Sequence, residues 1–358
     1  MAATLYGARQ GNTGPVCRPR RLRPLRYNRC MMKPFLYVTA KIVATLALAL
    51  SAVWGALALW YQVGGGVMLQ AAAALLWAGA ALAALVFWWR GRNGRPLLAY
   101  VGACALLLVW WSAIAPRHDR AWADDVARMV HGSVDGDIVT LDDVRHFDWR
   151  SDADYTPRWE RRRYDLAQLR TVDVALSYWM GPAIAHTLVS FGFADGRYLT
   201  FSIEIRKERG ESFSAVAGFF KRYETVLVAA DERDILRVRT NVRDEDMYLY
   251  RVRMAPAAMR SLFLAYLDEG DRLRAAPRFY DTLTANCTTI VFEMARRIAP
   301  GLPLDWRLLA SGYLDRYIDD LGALAGSGTF EQKRAAAHIT ARARAADTAP
   351  DFSQQIRR

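Results

Sequence analysis

Acidic residues are missing from the first third of this 358-residue chain: Asp119 is the first Asp or Glu. Residues 1–95 carry ten Arg and two Lys, which equals the formal net charge of +12; the remainder holds 36 basic and 36 acidic residues. The basic excess therefore does not belong to the globular part, which excludes reading that part as a nucleic-acid-binding domain; nucleic acid is not an expected partner. Cysteine and histidine are also scarce. Four Cys (17, 30, 104, 287) and five His (118, 131, 146, 186, 338) are too few and too dispersed for a zinc site or a disulfide framework. There is no Gly-x-Ser-x-Gly elbow, no Walker loop and no His-Glu-x-x-His. No metal or organic cofactor is expected. Apolar residues, in contrast, make up 53% of the chain against 23% charged, enough for a core and incompatible with general disorder.

Much of that apolar content lies in three uncharged runs, residues 42–60, 67–89 and 97–115. Each approaches the ~20 residues a helix needs to cross ~30 Å of hydrocarbon. Three such runs so close together exclude a cleaved signal peptide and point to a multi-pass membrane region. Seven Arg precede the first run, the first loop is uncharged, and Arg90, Arg92 and Arg95 occupy the second. The positive-inside bias places the N-terminus and the second loop in the cytoplasm. Three crossings then export everything after Arg117, to the periplasmic side of the inner membrane in a bacterium. Trp54, Trp60, Trp88, Trp89, Trp110 and Trp111 sit mostly near run ends, as interfacial anchors do. Met31 or Met32 is an alternative start.

The expected organisation is a basic cytoplasmic segment (1–35), a membrane region (36–116), one periplasmic catalytic domain (117–324) and a loose polar tail (325–358). Within the domain, residues 172–178, 187–193, 198–205, 225–228, 235–242 and 247–254 read as strands, rich in β-branched and aromatic residues. Residues 256–269 read as a helix with Pro256 at its start and Gly270 beyond its end; another runs from Asn286 to Ile298. Weaker helical patterns cover 121–130, 213–223 and 308–321, and 150–163 reads as a charged loop. Asp231-Glu232-Arg233-Asp234 reads as a solvated turn. The fold class is α+β with an antiparallel sheet.

On this topology Cys287 is the single thiol of the exported part, without an intramolecular disulfide partner. Thr284-Ala285-Asn286-Cys287-Thr288-Thr289 places it where a loop enters a helix. Free N–H groups and the helix dipole lower a thiol's pKa there and can receive an oxyanion. A buried structural cysteine fits the same position. A nucleophilic thiol needs a base, and His186, at the start of a strand expected to be central, is the best placed of the five histidines.

Those residues lie within a wider set: Phe147-Asp148-Trp149-Arg150, Ala185-His186-Thr187-Leu188, Ser202-Ile203-Glu204-Ile205, Asp231-Glu232-Arg233-Asp234, Arg239-Thr240-Asn241, Tyr248-Leu249-Tyr250 and Asn286-Cys287-Thr288-Thr289. Together they resemble the Lnb N-terminal periplasmic domain family over roughly residues 145–321. The resemblance implies a circularly permuted papain-like fold, a lipoprotein N-acyltransferase-like activity, and His186 and Cys287 as base and nucleophile. The three N-terminal helices depart from the namesake's membrane arrangement.

A third residue usually orients the base. Glu204 is the candidate, depending on register. A two-residue turn at Asp195-Gly196 sends Glu204 to the far face, whereas a three-residue turn over 194–196 sets it beside His186; pairing with Arg206 or another surface Arg is the alternative. The expected protein is a thiol acyltransferase or hydrolase acting on phospholipid or lipoprotein acyl groups at the inner membrane. Backbone N–H groups, with the Asn286 side chain, hold the oxyanion. The alternatives are a cell-wall thiol peptidase or amidase, and a non-catalytic tethered binding module.

Overall fold

The computed structural model describes residues 29–358 apart from 92 and 93, and only the backbone of 29–36. The rest of the basic segment, with Cys17 and Arg92, lies outside the described residues, as does the side chain of Cys30.

Three helices come first: α1 (Arg29–Gln62), α2 (Val67–Arg90) and α3 (Arg95–Ala113). The spans Tyr37–Gln62, Val67–Arg90 and Arg95–Ala113 are long and apolar enough to cross a membrane. Their large side chains, among them Leu46, Leu50, Leu75, Leu76 and Leu106, face outward. That is costly in water and favourable in lipid, where small and polar groups hold helices together. Gly55 makes room for the Trp77 ring, and Ser51 hydrogen-bonds Tyr100 Oη at 3.0 Å.

The rest is an α+β domain. Its strands are β1 (His131–Asp135), β2 (Ile138–Arg145), β3 (Asp148–Trp149), β4 (Tyr155–Thr156), β5 (Trp159–Asp165), β6 (Leu169–Tyr178), β7 (Ala185–Phe193), β8 (Tyr198–Arg206), β9 (Glu224–Ala230) and β10 (Asp246–Val252). The main sheet runs β1-β2-β9-β8-β7-β6-β10, with β5 also on β2 and β3-β4 a separate pair. All pairings are antiparallel except the short contact of β2 with β9. Between the strands come α4 (Ala215–Gly218) and α5 (Glu232–Ile235), and after them α6 (Pro256–Ala275) and α7 (Cys287–Ile298). Helices α6 and α7 cover one face, where Phe191 and Phe201 meet Phe263 and Tyr266. Near the opposite end, Ser190 turns to the other face and bonds Glu232 of α5 at 2.5 Å.

Several elements differ from the sequence reading. Residues 235–242 are helical rather than extended, because Asp231 caps the N–H of Arg233 at 3.0 Å and starts α5. Gly270 does not end α6: it lies inside the helix, where a side chain would strike Val130 O and Leu227. Residues 150–163 include β4 and most of β5, and 121–130 holds only one 3₁₀ turn. The patterns at 213–223 and 308–321 shrink to α4 and to a helix at Leu314–Asp320 after short 3₁₀ turns. The stretch from 325 is not loose. It forms helices at Phe330–Ala337, Thr340–Ala345 and Phe352–Gln355 and buries Ile339, Ala343, Phe352 and Ile356. Asp231-Glu232-Arg233-Asp234 is not a solvated turn either, since Glu232 and Asp234 are 0% and 1% exposed.

The domain is docked on the membrane helices. Gln62, ending α1, donates through Nε2 to Phe220 O and Lys221 O at 2.6 and 2.8 Å. Lys221 Nζ donates to Trp111 O and Ile114 O just past α3, at 2.8 and 3.3 Å. Phe220 stacks on Tyr61 with ring centroids 5.6 Å apart and meets Trp111 edge-on at 6.3 Å. Charged and aromatic contacts close the joint between helix ends and sheet.

Candidate active site

The site forms where the sheet opens. Strands β6 and β7 pair through Ser177 opposite His186. The β7–β8 ladder runs from Gly192 opposite Tyr198 only as far as Leu188 opposite Ser202. Beyond that point the two strands part and the start of α7 enters the fork. Thr187 N–H donates to Cys287 Sγ at 3.5 Å, and the Thr187 and Thr288 hydroxyls meet at 2.9 Å. The fork lets a sulfur from the α7 face reach an imidazole that the pleat assigns to the other face.

Register settles Glu204. Phe193 N–H donates to Arg197 O at 2.9 Å, closing a three-residue turn over 194–196, with Gly196 taking the positive φ of 84° that such a turn needs. The same offset sets His186 level with Glu204. His186 Nε2 lies 2.7 Å from Ser202 Oγ and 3.2 Å from Glu204 Oε1, and Ser202 Oγ donates to that oxygen at 2.8 Å. Nε2 is thus engaged by Ser202 and Glu204. Arg239 Nη2 holds Glu204 Oε1 at 2.7 Å. This Arg is buried, not at the surface, and Arg206 turns away to Val126 O and Ala127 O.

These charges set the protonation states. Burial favours neutral imidazole, but the Glu204 carboxylate and the Cys287 sulfur outweigh it and raise the His186 pKa to about 10. Burial likewise opposes ionisation of Cys287, yet the His186 charge and hydrogen bond and the Thr187 N–H lower its pKa. Glu204 is penalised by burial but held well below the usual carboxylate range by His186 and Arg239. The three groups titrate as a coupled unit in which the His186 charge favours the Cys287 thiolate and the Glu204 carboxylate.

The Asn286 side chain is engaged at the start of α7. Its Oδ1 accepts from Thr288 N–H and Thr289 N–H, both at 2.9 Å, and Nδ2 donates to Thr282 O at 2.8 Å. It caps α7 in a capping box with Thr289 and fixes the start of the helix that carries Cys287. Tyr280 also lies beside Cys287. Burial and the charges of Cys287 and Glu204 push its phenol far up, so it stays protonated. Tyr280, Arg239 and the Thr187 N–H were missed as site groups. Arg239 was visible only as part of a motif, and Tyr280 carried no signal beyond lying seven residues before Cys287. Among the described residues no group of three or more His, Cys, Asp or Glu side chains could hold a metal ion.

Residues 155–312 match the Lnb N-terminal periplasmic domain family. The matched stretch of the Lnb N-terminal domain contains His186, Glu204, Tyr280 and Cys287, while β1 to β3 and the final helices flank it. With three candidate membrane spans ahead of it, the chain is a membrane-anchored protein with a periplasmic domain. Neither a curated protein nor a solved structure matches the chain.

Proposed function

We propose that this protein is a thiol acyltransferase, or the corresponding hydrolase, working on lipid or lipoprotein acyl groups at the periplasmic face of the inner membrane. The observation that carries the reading is the placement of Cys287 at the start of α7, its sulfur against the Thr187 N–H next to His186, whose ring is held by Glu204 at 3.2 Å. The thiolate attacks the carbonyl carbon of an acyl ester. Charge moves to the carbonyl oxygen, for which backbone N–H groups at the start of α7 and the Tyr280 hydroxyl are the candidate donors. The ester C–O bond breaks, His186 gives its proton to the leaving alkoxide, and a thioester remains on Cys287. An amine, or water, then attacks the thioester; His186 takes a proton from it, and the thiolate leaves. The fold is read as a permuted papain-like one, with the His strand ahead of the Cys helix. Phospholipid as donor and a lipoprotein amine as acceptor fit a site tethered directly to the helix ends.

Intact-mass measurement after mixing the detergent-purified protein with phospholipid tests this. An added acyl mass on Cys287 that is discharged by a lipopeptide with a free N-terminal amine is the expected result. Absence of any acyl-Cys287 from phospholipid or lipopeptide donors overturns it.

Two further outcomes are expected. Glu204→Gln removes the charge that holds the His186 proton, so the imidazolium is lost at lower pH. Iodoacetamide alkylation of Cys287, followed against pH, should show its alkaline transition moving down from about 10 by ~1–3 pH units. Tyr280→Phe should lower kcat by ~10²-fold while leaving that alkylation profile in place, as expected on loss of one oxyanion donor.

A further inference from the structure

The loops around the site carry apolar side chains that the fold does not cover. Trp179, Met180, Phe213, Val216, Phe219 and Leu283 are each between 42% and 55% exposed. They come from separate segments that converge. Trp179 and Phe213 meet edge-on with ring centroids 5.8 Å apart. Thr282, next to Leu283, donates through Oγ1 to Ala215 O at 2.8 Å and packs against Gly218, which ties Leu283 to the turn bearing Val216 and Phe219. The patch borders the chemistry: Trp179 and Met180 lie in the loop leading to β7 and His186, and Leu283 lies four residues before Cys287.

The level of this patch is fixed by its neighbour in the chain. Phe219 adjoins Phe220, which is clamped between Tyr61 and Trp111 at the outward ends of α1 and α3, and Lys221 is bonded to Trp111 O and Ile114 O. Where those helices leave the hydrocarbon, the 213–221 segment is at the bilayer surface. Tyr61 of α1 also packs on the cluster of Ala217, Tyr223 and Tyr280, which links the end of α1 to the surroundings of Cys287. An aromatic and aliphatic patch continuous with the ends of membrane spans has one natural occupant, the lipid interface itself.

We propose that these six side chains form a rim seated in the headgroup and glycerol zone of the outer leaflet, through which the acyl ester of a membrane phospholipid reaches Cys287. This rests on the lipid-directed reading above and adds to it the substrate's route of entry, from the plane of the same membrane.

The test uses the full chain in vesicles of phosphatidylethanolamine and phosphatidylglycerol. A benzoyl-phenylalanine placed at Met180, Phe213 or Phe219 should photo-crosslink phospholipid. One placed at Ala194, in the hairpin turn at the opposite end of β7, should not. Rim positions that crosslink only protein, or lipid no more than Ala194 does, overturn the proposal. The double variant Phe213→Asp, Val216→Asp should slow acyl-Cys287 formation from vesicle lipid about tenfold or more, with the rate of Cys287 alkylation by water-soluble iodoacetamide unchanged. Equal acylation in this variant also overturns the rim. Lipid crosslinking without any acyl-enzyme in the unsubstituted protein would instead sink the catalytic reading and leave the rim standing, so the two failures are distinguishable.

Discussion

Cys287→Ala is expected to abolish the acyl-enzyme and to lower turnover by at least ~10³-fold, and His186→Gln to do nearly the same. The two losses should not multiply in the double variant, because sulfur and imidazole act as one unit. They differ in a second readout. With Cys287 gone there is nothing at that position to alkylate. With His186 gone the thiol remains, buried, and has lost the positive charge that opposed burial. Desolvation then dominates and lifts the thiol above the ordinary ~8.5 of a free cysteine. The sign is definite: alkylation at pH 7 falls in His186→Gln and recovers as pH rises. In the native protein the His186 charge persists up to its pKa of about 10 and keeps the Cys287 pKa lowered, so at pH 7 the native thiol should alkylate faster than that of His186→Gln. Full turnover in both variants would remove the mechanism. An alkylation profile in His186→Gln that matches the native one would show that the imidazole does not set the thiol's charge.

The membrane region and the unpaired thiol were legible for the same reason: each is a departure from composition. Three uncharged runs and one unpaired thiol stand out without any tertiary information. The strands that carry the site were legible from alternation, and the hairpin limited Glu204 to two outcomes that differ by one residue of turn. Choosing between them required Gly196 in its left-handed conformation, which the sequence permits without demanding. The misreadings share a different cause. Asp231-Glu232-Arg233-Asp234 looks like solvent-facing charge because its partners are remote: Arg145 lies 89 residues before Asp234, and Arg357 lies 125 residues after Glu232. The Ala- and Arg-rich stretch from 325 looks polar for the same reason. Its small apolar residues pack and its last arginines are consumed by buried carboxylates, as Arg357 is by Asp173 and Glu232 at 2.8 and 2.6 Å. Charge that is paired through the fold cannot be told from solvated charge by local pattern. Asn286 shows the same limit at the site, since one amide serves equally well on paper as a cap or an oxyanion donor.

Asp234→Ala is expected to be the most damaging single change to stability. Asp234 is 1% exposed and accepts four hydrogen bonds. Arg145 grips it with Nε at 2.9 Å and Nη2 at 3.0 Å, Phe147 N–H reaches it at 2.8 Å, and Trp149 Nε1 at 2.7 Å. Truncation strands the Arg145 guanidinium, 3% exposed, and leaves two neutral donors without acceptors. Breaking a buried pair from one side costs ~3–5 kcal/mol, and the orphaned donors add to it. For a domain of this size that corresponds to a fall in Tm of roughly 6–20 °C. Asp234→Asn keeps an acceptor for part of the set and loses the charge, so it should fall between. The damage should also reach the chemistry by a short path: Asp234 lies in α5, whose following turn carries the Arg239 that holds Glu204. Thermal unfolding of the detergent-purified variants, read beside the pH profile of Cys287 alkylation, checks both parts. A Tm within 2–3 °C of the native protein, about 1 kcal/mol at this size, would show that Arg145 finds another partner and that the buried pair adds little to the fold.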